Sequence, residues 1–490
     1  MRLRVGGLAL AVTLWAGATA AAQHVRVSGV TTFEYLEARP LADDSIPLEA
    51  ALGTGLLRRS PEGYIVRCVT DDRFCRFRRV MDRARTVPAI QEVSVSAWGI
   101  APGVRAFGRM RGRAVVSGEE ALWPRGDDLV DLLAAYVEIE RPAFRVRAGR
   151  QWRTSGLGLY DFDGAALLVR PWRGLTLEAY GGWGLVRGIH EPVTSDEVLD
   201  LEPFAPDARP YVLGAQVGVR PHRAGALTAV YQREIRDDRL GLYAERLSVD
   251  GVLHLGAASV EADVNVDIAT GTLNEARARV SLPPIKSVSV GAYYRYHRPF
   301  FELWTIWGAF SPVGFDEAGV RAAWRRPGSP ISLEVSGAGR RYGEADAQTL
   351  FGDVRTTAWR LGTAMTVQLA PQWSLEARYR ADLGFGAARS DGDVRLQRRL
   401  GHGAYVALDA GAFQRLYEFR EDEGVVLLAG VDAGAPLGPR ARVTGTFSAY
   451  RHDTAPGLPD TDWTQLRAAL RFEWIIGTEP RIPDRAGGRQ

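Results

Sequence analysis

Polar and apolar residues alternate along this chain with a period of two, from one end to the other. Between Ser259 and Ile268 the residues Ser259, Glu261, Asp263, Asn265 and Asp267 take turns with Val260, Ala262, Val264, Val266 and Ile268. The run from Trp373 to Leu383 sets Trp373, Leu375, Ala377, Tyr379, Ala381 and Leu383 against Ser374, Glu376, Arg378, Arg380 and Asp382. Successive side chains of a β-strand point to opposite faces, so each run is a ribbon with one greasy and one charged face. The same alternation recurs from Ala276 to Leu282, from Ser287 to His297 and from Leu466 to Trp474. We count 22 candidate strands of about 9 to 15 residues, longer than the 5 or 6 usual in soluble sheets.

The connections fall into two classes that take turns. One is tight and rich in Pro and Gly: Ala101 to Gly103, Arg141 to Ala143, Pro171 to Gly174, Pro221 to Gly225, Pro283-Pro284, Pro327-Gly328, Ala370 to Gln372 and Ala435 to Pro439. The other is variable and often long, as at Ala38 to Ala89, Arg187 to Ala208, Pro299 to Glu317 and Asp453 to Thr461. Short turns on one rim and long loops on the other are the habit of transmembrane barrels, the short turns being periplasmic. The predicted fold is all-β, a transmembrane antiparallel up-and-down β-barrel of about 18–22 strands, best counted as 22. The first strand is expected near Val25 to Glu37 and the last near Gln465 to Ile475. Barrels of about 16 or more strands leave a channel unless something blocks it.

Composition adds a compartment. Arg2 and Arg4 precede an uncharged apolar stretch, Val5 to Ala18, and the small residues Ala20-Ala21-Ala22 stand before Gln23. This is the pattern of a cleavable signal peptide over residues 1–22. The barrel is then expected over 23–477, with a periplasmic tail at 478–490. The mature chain meets the bacterial outer membrane, with its lipid and lipopolysaccharide and the barrel-assembly machinery as partners. Mean hydropathy is near zero because the two strand faces cancel. Losing two arginines with the leader turns 61 basic residues into 59, against 58 acidic ones. That balance excludes nucleic-acid binding by bulk charge.

The candidate pore residues are those that alternation turns inward. Arg105, Arg109, Arg111 and Arg113 share one face of a strand, and Arg145, Arg147 and Arg153 share another. Glu376, Arg378, Arg380 and Asp382 make a third inward set. Such rows either attract anionic solutes and set selectivity, or pair across strands with carboxylates such as Glu334, Asp250, Asp263 or Asp267 in a wet lumen.

The longest insertion, Ala38 to Ala89, carries Cys68, Cys75 and a basic run from Arg73 to Arg85. In an exported chain the two cysteines favour a disulfide. On one continuous helix they would be about 10 Å apart along the axis, so the segment between them must bend. Three placements are open for this loop: a constriction folded into the lumen, an external cap meeting lipopolysaccharide phosphates, or a solvated amphipathic helix. A second loop, Phe300 to Phe310, is so aromatic that it should fold into the barrel mouth or the lipid interface, or stack against sugars.

In pattern the chain resembles the large Gram-negative outer-membrane porins and, more loosely, barrels of the alginate-export type. Gly149-Arg150-Gln151 on one strand, followed by Phe162-Asp163-Gly164 on the next, is similar to a motif of such barrels in which a basic residue faces an acidic neighbour across the wall. The resemblance implies the fold and a transport role: diffusion of small hydrophilic solutes, or export of polysaccharide or protein, or a structural or adhesive barrel. A siderophore-type transporter has a comparable strand number, but its plug of more than a hundred residues should precede the barrel, and about two residues do so here. Enzymatic chemistry is not indicated. The seven histidines are scattered with no nucleophile motif, and no phosphate loop, zinc spacing or EF-hand pattern occurs. Neither a metal nor a cofactor is expected.

Overall fold

The computed structural model describes residues 24–477, apart from short segments at 39–40, 55–56, 62–64, 69–72, 81–83, 222–223, 237–240 and 385–386 and longer ones at 119–129, 186–210, 299–313, 344–355, 417–423 and 455–462. The expected leader, the carboxy-terminal tail and the Phe300 to Phe310 loop lie outside the described residues.

The chain opens with β1 (His24–Ala38) and then leaves the wall for β2 (Leu41–Pro47), β3 (Leu57–Arg59), β4 (Ile65–Cys68) and β5 (Phe74–Val80). It returns as β6 (Ala84–Trp98), β7 (Val104–Gly118), β8 (Val130–Glu140), β9 (Phe144–Ser155), β10 (Gly158–Trp172) and β11 (Leu175–Gly184). Next come β12 (Tyr211–Val219), β13 (Gly225–Arg236), β14 (Gly241–Leu255), β15 (Ala258–Asp267), β16 (Thr272–Ser281), β17 (Val288–His297), β18 (Phe315–Arg325) and β19 (Ile331–Tyr342). The circuit ends with β20 (Thr357–Ala370), β21 (Trp373–Gly384), β22 (Ala387–Arg399), β23 (Tyr405–Leu416), β24 (Gly424–Pro436), β25 (Ala441–Thr454) and β26 (Trp463–Gly477).

Twenty-two of these strands, β1 and β6 to β26, form one closed antiparallel sheet in chain order. Closure comes from β1 pairing with β26, in register from Arg26 opposite Gly477 to Leu36 opposite Arg467. The other edge of β1 pairs with β6, His24 facing Trp98. The strand count, the up-and-down order and the position of the first and last strands are those the alternation predicts.

Register then assigns the two faces. On the outside, Val264, Val280, Val320, Val335, Leu361, Val394, Leu408, Val431 and Leu470 are exposed large apolar residues on consecutive or nearby strands. So broad an apolar surface belongs against lipid. Trp172 and Phe144 edge this band beside the short turns, and Trp183, Tyr211 and Trp359 edge it beside the long loops. Aromatic belts at both margins are what a membrane interface favours. Among the described residues, no helix is long and apolar enough to cross a membrane.

The first insertion does not form the helix that its basic run allowed. Its strands pair only with one another, in the order β2-β5-β4-β3. They close a small core of Ala51, Val66, Cys68, Cys75 and Phe77, with Ile46 and Leu48 packed on it. Cys68 lies directly opposite Cys75 in the β4–β5 ladder, and the two form a disulfide with Cα atoms 4.2 Å apart. β4 and β5 thus run antiparallel, as the bend expected between the two cysteines requires. The basic run becomes strand β5, and Arg85 belongs to the barrel, where it pairs with Glu37 at 3.4 Å.

Candidate functional site

The inward arginines are mostly paired, and their partners lie on adjacent strands. Arg109 meets Glu92 at 2.5 Å, and Arg111 meets Asp131 at 3.0 Å. Arg113 lies in the same row, opposite Ile90. Glu138 on β8 is fully buried and bridges two strands: Arg105 Nη2 on β7 lies 2.6 Å from its Oε1, and Arg147 Nη2 on β9 lies 2.7 Å from its Oε2. On the opposite wall Arg378 pairs with Asp393 at 3.0 Å, Arg380 with Asp391 at 3.0 Å, and Asp382 with Arg360 at 2.7 Å. Arg395, the cross-strand neighbour of Glu376, turns instead to Asp409 and Asp432. The carboxylates expected as partners sit elsewhere in the ladder: Glu334 pairs with Arg321, and Asp263 with Arg277 at 3.6 Å.

Arg145 is the exception among the candidate arginines. It faces inward from β9 between Leu168 and Glu140, yet Glu140 pairs with Arg170. No ion pair or hydrogen bond engages Arg145 among the described residues.

What sets this sector apart is a row of glycines. The two motif segments are in cross-strand register: Gly149 faces Gly164, Arg150 faces Asp163, and Gln151 faces Phe162. Arg150 and Asp163 form a two-armed pair at 2.8 and 2.9 Å, and Arg150 also donates to the Leu132 carbonyl at 2.8 Å. Parity turns this pair to the outer face, level with Trp183 at the long-loop margin. Gly164 in turn faces Gly182 on β11, so three strands in succession lack a side chain on one inward row. Their backbones crowd: a Cβ on Gly149 would collide with the Ala135 carbonyl oxygen and stand 2.9 Å from Tyr136 Cα. With φ at +121°, Gly149 also holds a conformation that L side chains rarely adopt. Glycine kinks of this kind let a sheet bend.

Beyond that row the β9–β10 hairpin folds into the barrel. Arg153 lies eight residues past Arg145, about 26 Å along a straight strand. Nevertheless Arg153 Nη1 is 2.7 Å from Glu178 Oε1, and Glu178 shares a hydrogen-bonded row with Leu168 and Arg145. Its guanidinium stacks 4.1 Å over the Tyr180 ring and reaches Gln216 on β12. The tip goes further still. A Cβ on Gly156 would overlap Ser248 Oγ and stand 3.0 Å from Ser248 Cβ, and Ser248 continues the same row onto β14 through Val230 and Gln216. The hairpin is thus a strap laid across β11, β12 and β13.

The strap explains burial that an open wall would not give. Leu157 at its tip is 6% exposed, and beneath it Phe162, Val212, Val230 and Ser248 are almost wholly covered. A polar chain runs along the covered wall, in which Tyr180 Oη donates to Gln232 at 3.0 Å and Gln232 donates to Glu234 at 2.7 Å. Between strap and wall lies a cavity of about 210 Å³, lined by Arg145, Arg147 and Arg153 together with Phe162, Leu168, Glu178 and Gln216. Among the described residues no cluster of His, Cys, Asp and Glu is arranged to hold a metal ion.

Alternation finds the arginines but misses their partners. Glu138 was legible as an inward residue of its own strand, two places from Tyr136. The strap had a fainter signal: Ser155 to Gly158 is a tight link on the rim where the other connections are mostly long.

No family model matches the chain, and no curated protein does. Among solved structures, the chain is similar to the siderophore receptor PirA from Pseudomonas aeruginosa, with a TM-score of 0.52, 11% identity, and 92% of this chain and 80% of that one covered. It also matches a BenF-like porin from Pseudomonas fluorescens Pf-5, with a TM-score of 0.41, 9% identity and coverages of 93% and 99%. A third match is OccAB4 from Acinetobacter baumannii, with a TM-score of 0.42, 8% identity and coverages of 93% and 99%. The likeness to the receptor is one of fold. Together with the two faces of the wall, it places the chain in the class of membrane-spanning β-barrels.

Proposed function

We propose that this chain is an outer-membrane channel for passive or facilitated diffusion of small hydrophilic solutes. On this reading the short-turn rim faces the periplasm, and the loop rim with its disulfide-closed sheet faces outward toward lipopolysaccharide. The leader routes the chain to the barrel-assembly machinery, and neither catalysis nor a cofactor is assigned to it. One observation carries the proposal: the closed wall of 22 strands is apolar outside and lined inside with ion pairs. Such a wall is stable only with lipid on one side and water on the other. The inward rows, Arg105 to Arg113, Arg145 to Arg153 and Glu376 to Asp382, are the proposed selectivity surface. Their pairing makes them a field of alternating sign, in which Arg145 supplies uncompensated positive charge.

The test is single-channel recording of the refolded chain in a planar bilayer. Steady open steps, with a reversal potential that Arg145→Glu shifts toward cations, are expected. A silent barrel would refute the channel and leave a structural or adhesive role.

A further inference from the structure

We propose that the cavity under the strap is a saturable binding site for a small organic anion, a carboxylate or sulfonate on a compact apolar body. This rests on the channel reading only for the route by which the anion arrives.

The charge is unbalanced there. Arg105, Arg145, Arg147 and Arg153 bring four guanidiniums to the neighbourhood, against the two carboxylates of Glu138 and Glu178. Arg145 lines the cavity with no ion pair or hydrogen bond among the described residues. A second, independent sign comes from Arg153. Its side chain is only 10% exposed, and its Nε is buried with no hydrogen-bond partner. Buried N–H groups of this kind are rare in folded proteins, and a missing acceptor is the ordinary explanation. An anion beside Arg145, with a small turn of the Arg153 guanidinium toward the cavity it lines, supplies that acceptor.

The other lining residues define the rest of the ligand. Phe162, Ala166 and Leu168 give the mostly polar lining a small apolar patch, against which one side of the ligand's body rests. A cavity of about 150 Å³ holds benzene, so about 210 Å³ has room for a body of that size with its anionic group. Gln216 adds an amide that orients the head group. The strap supplies one wall, and Gly156 lets it close: any larger residue there meets Ser248.

The probe is benzoate, titrated by calorimetry into the full chain refolded in detergent, with benzyl alcohol as its uncharged counterpart. Saturable binding of one benzoate per chain is expected, with benzyl alcohol at least tenfold weaker. Arg145→Gln should weaken benzoate at least tenfold, and Gly156→Val, which lifts the strap, should do the same. Arg321→Gln, whose ion pair with Glu334 lies on β18 and β19 away from the strap, should leave it unchanged. Three results would each overturn the proposal: a folded barrel that takes up no benzoate saturably, equal binding of benzyl alcohol, or full affinity in both Arg145→Gln and Gly156→Val. Binding is read without a membrane, so a silent barrel that binds benzoate sinks the channel and keeps the site. A conducting barrel that does not bind it sinks the site alone.

Discussion

Replacing Glu138 by glutamine removes one negative charge from a place that water does not reach. The carboxylate is 0% exposed, and it holds Arg105 at 2.6 Å and Arg147 at 2.7 Å. A pair of unit charges at ~4 Å is worth roughly 4 kcal/mol at an effective dielectric constant near 20. Much of that is offset by the cost of burying the carboxylate. Removing one partner of a buried pair therefore costs about 3–5 kcal/mol, because the other charge is stranded. The two arginines are not equally stranded: the Arg105 side chain is 49% exposed and turns to lumen water, whereas Arg147 is 20% exposed and lies against the Tyr136 ring. Only Arg147 is stranded, and the glutamine Oε1 still accepts from it, so Glu138→Gln should destabilise the barrel by about 2–3 kcal/mol, below that range. Glu92→Gln is the control. Its pair with Arg109 is 42% and 25% exposed, which predicts a loss below about 1 kcal/mol. Urea unfolding of barrels inserted in vesicles, followed by tryptophan fluorescence, measures both. If the two variants agree within about 0.5 kcal/mol, burial is not what gives the Glu138 bridge its weight.

Three further outcomes follow from the same geometry. Cys68→Ser with Cys75→Ser reopens a loop of eight residues and should cost the small sheet about 2.5 kcal/mol, seen as new protease cuts within residues 41–80 while the barrel resists. On the outward placement proposed for the small sheet, excising residues 41–80 should leave conductance unchanged; a rise in current would show that the sheet narrows the lumen. Val320→Arg, on the outer face of mid-strand β18 between Ala292 and Gly337, should cost about 2–4 kcal/mol. Ser336→Arg on the inner face should cost under about 1 kcal/mol, and equal losses in the unfolding assay would contradict the assignment of faces.

How much of this was legible in the sequence depends on whether a feature is local. Ser259 to Ile268 announces a strand because lipid and water act on alternate residues of a single segment, and each segment carries that signal by itself. The parity of the two kinds of connection then brings the last strand back beside the first, which β1 and β26 satisfy. The basic run from Arg73 to Arg85 gave no such signal: Cys75 and Phe77 join a core completed by other strands of the insertion, while Phe74 beside them is exposed, so the residue types along the run do not alternate.

The strap lies at the far end of that scale. Gly149, Gly164 and Gly182 are unremarkable one at a time, and each is tolerable in an ordinary strand. They act only because register sets them side by side on β9, β10 and β11, where three missing side chains in one row let the hairpin turn inward. Register is a property of pairs of strands, fixed by turns and by the burial of the opposite face. The Gly-Arg-Gln and Phe-Asp-Gly segments were visible as a motif through their charges. Their charges form the outer Arg150–Asp163 pair, and it is their glycines, with Gly156 at the tip, that shape the inner site. A Gly149→Ala substitution tests that division directly. It should release the strap and abolish benzoate binding while Arg150 and Asp163 remain unaltered, whereas retained binding would mean that the bend is held by the Arg153–Glu178 contact alone.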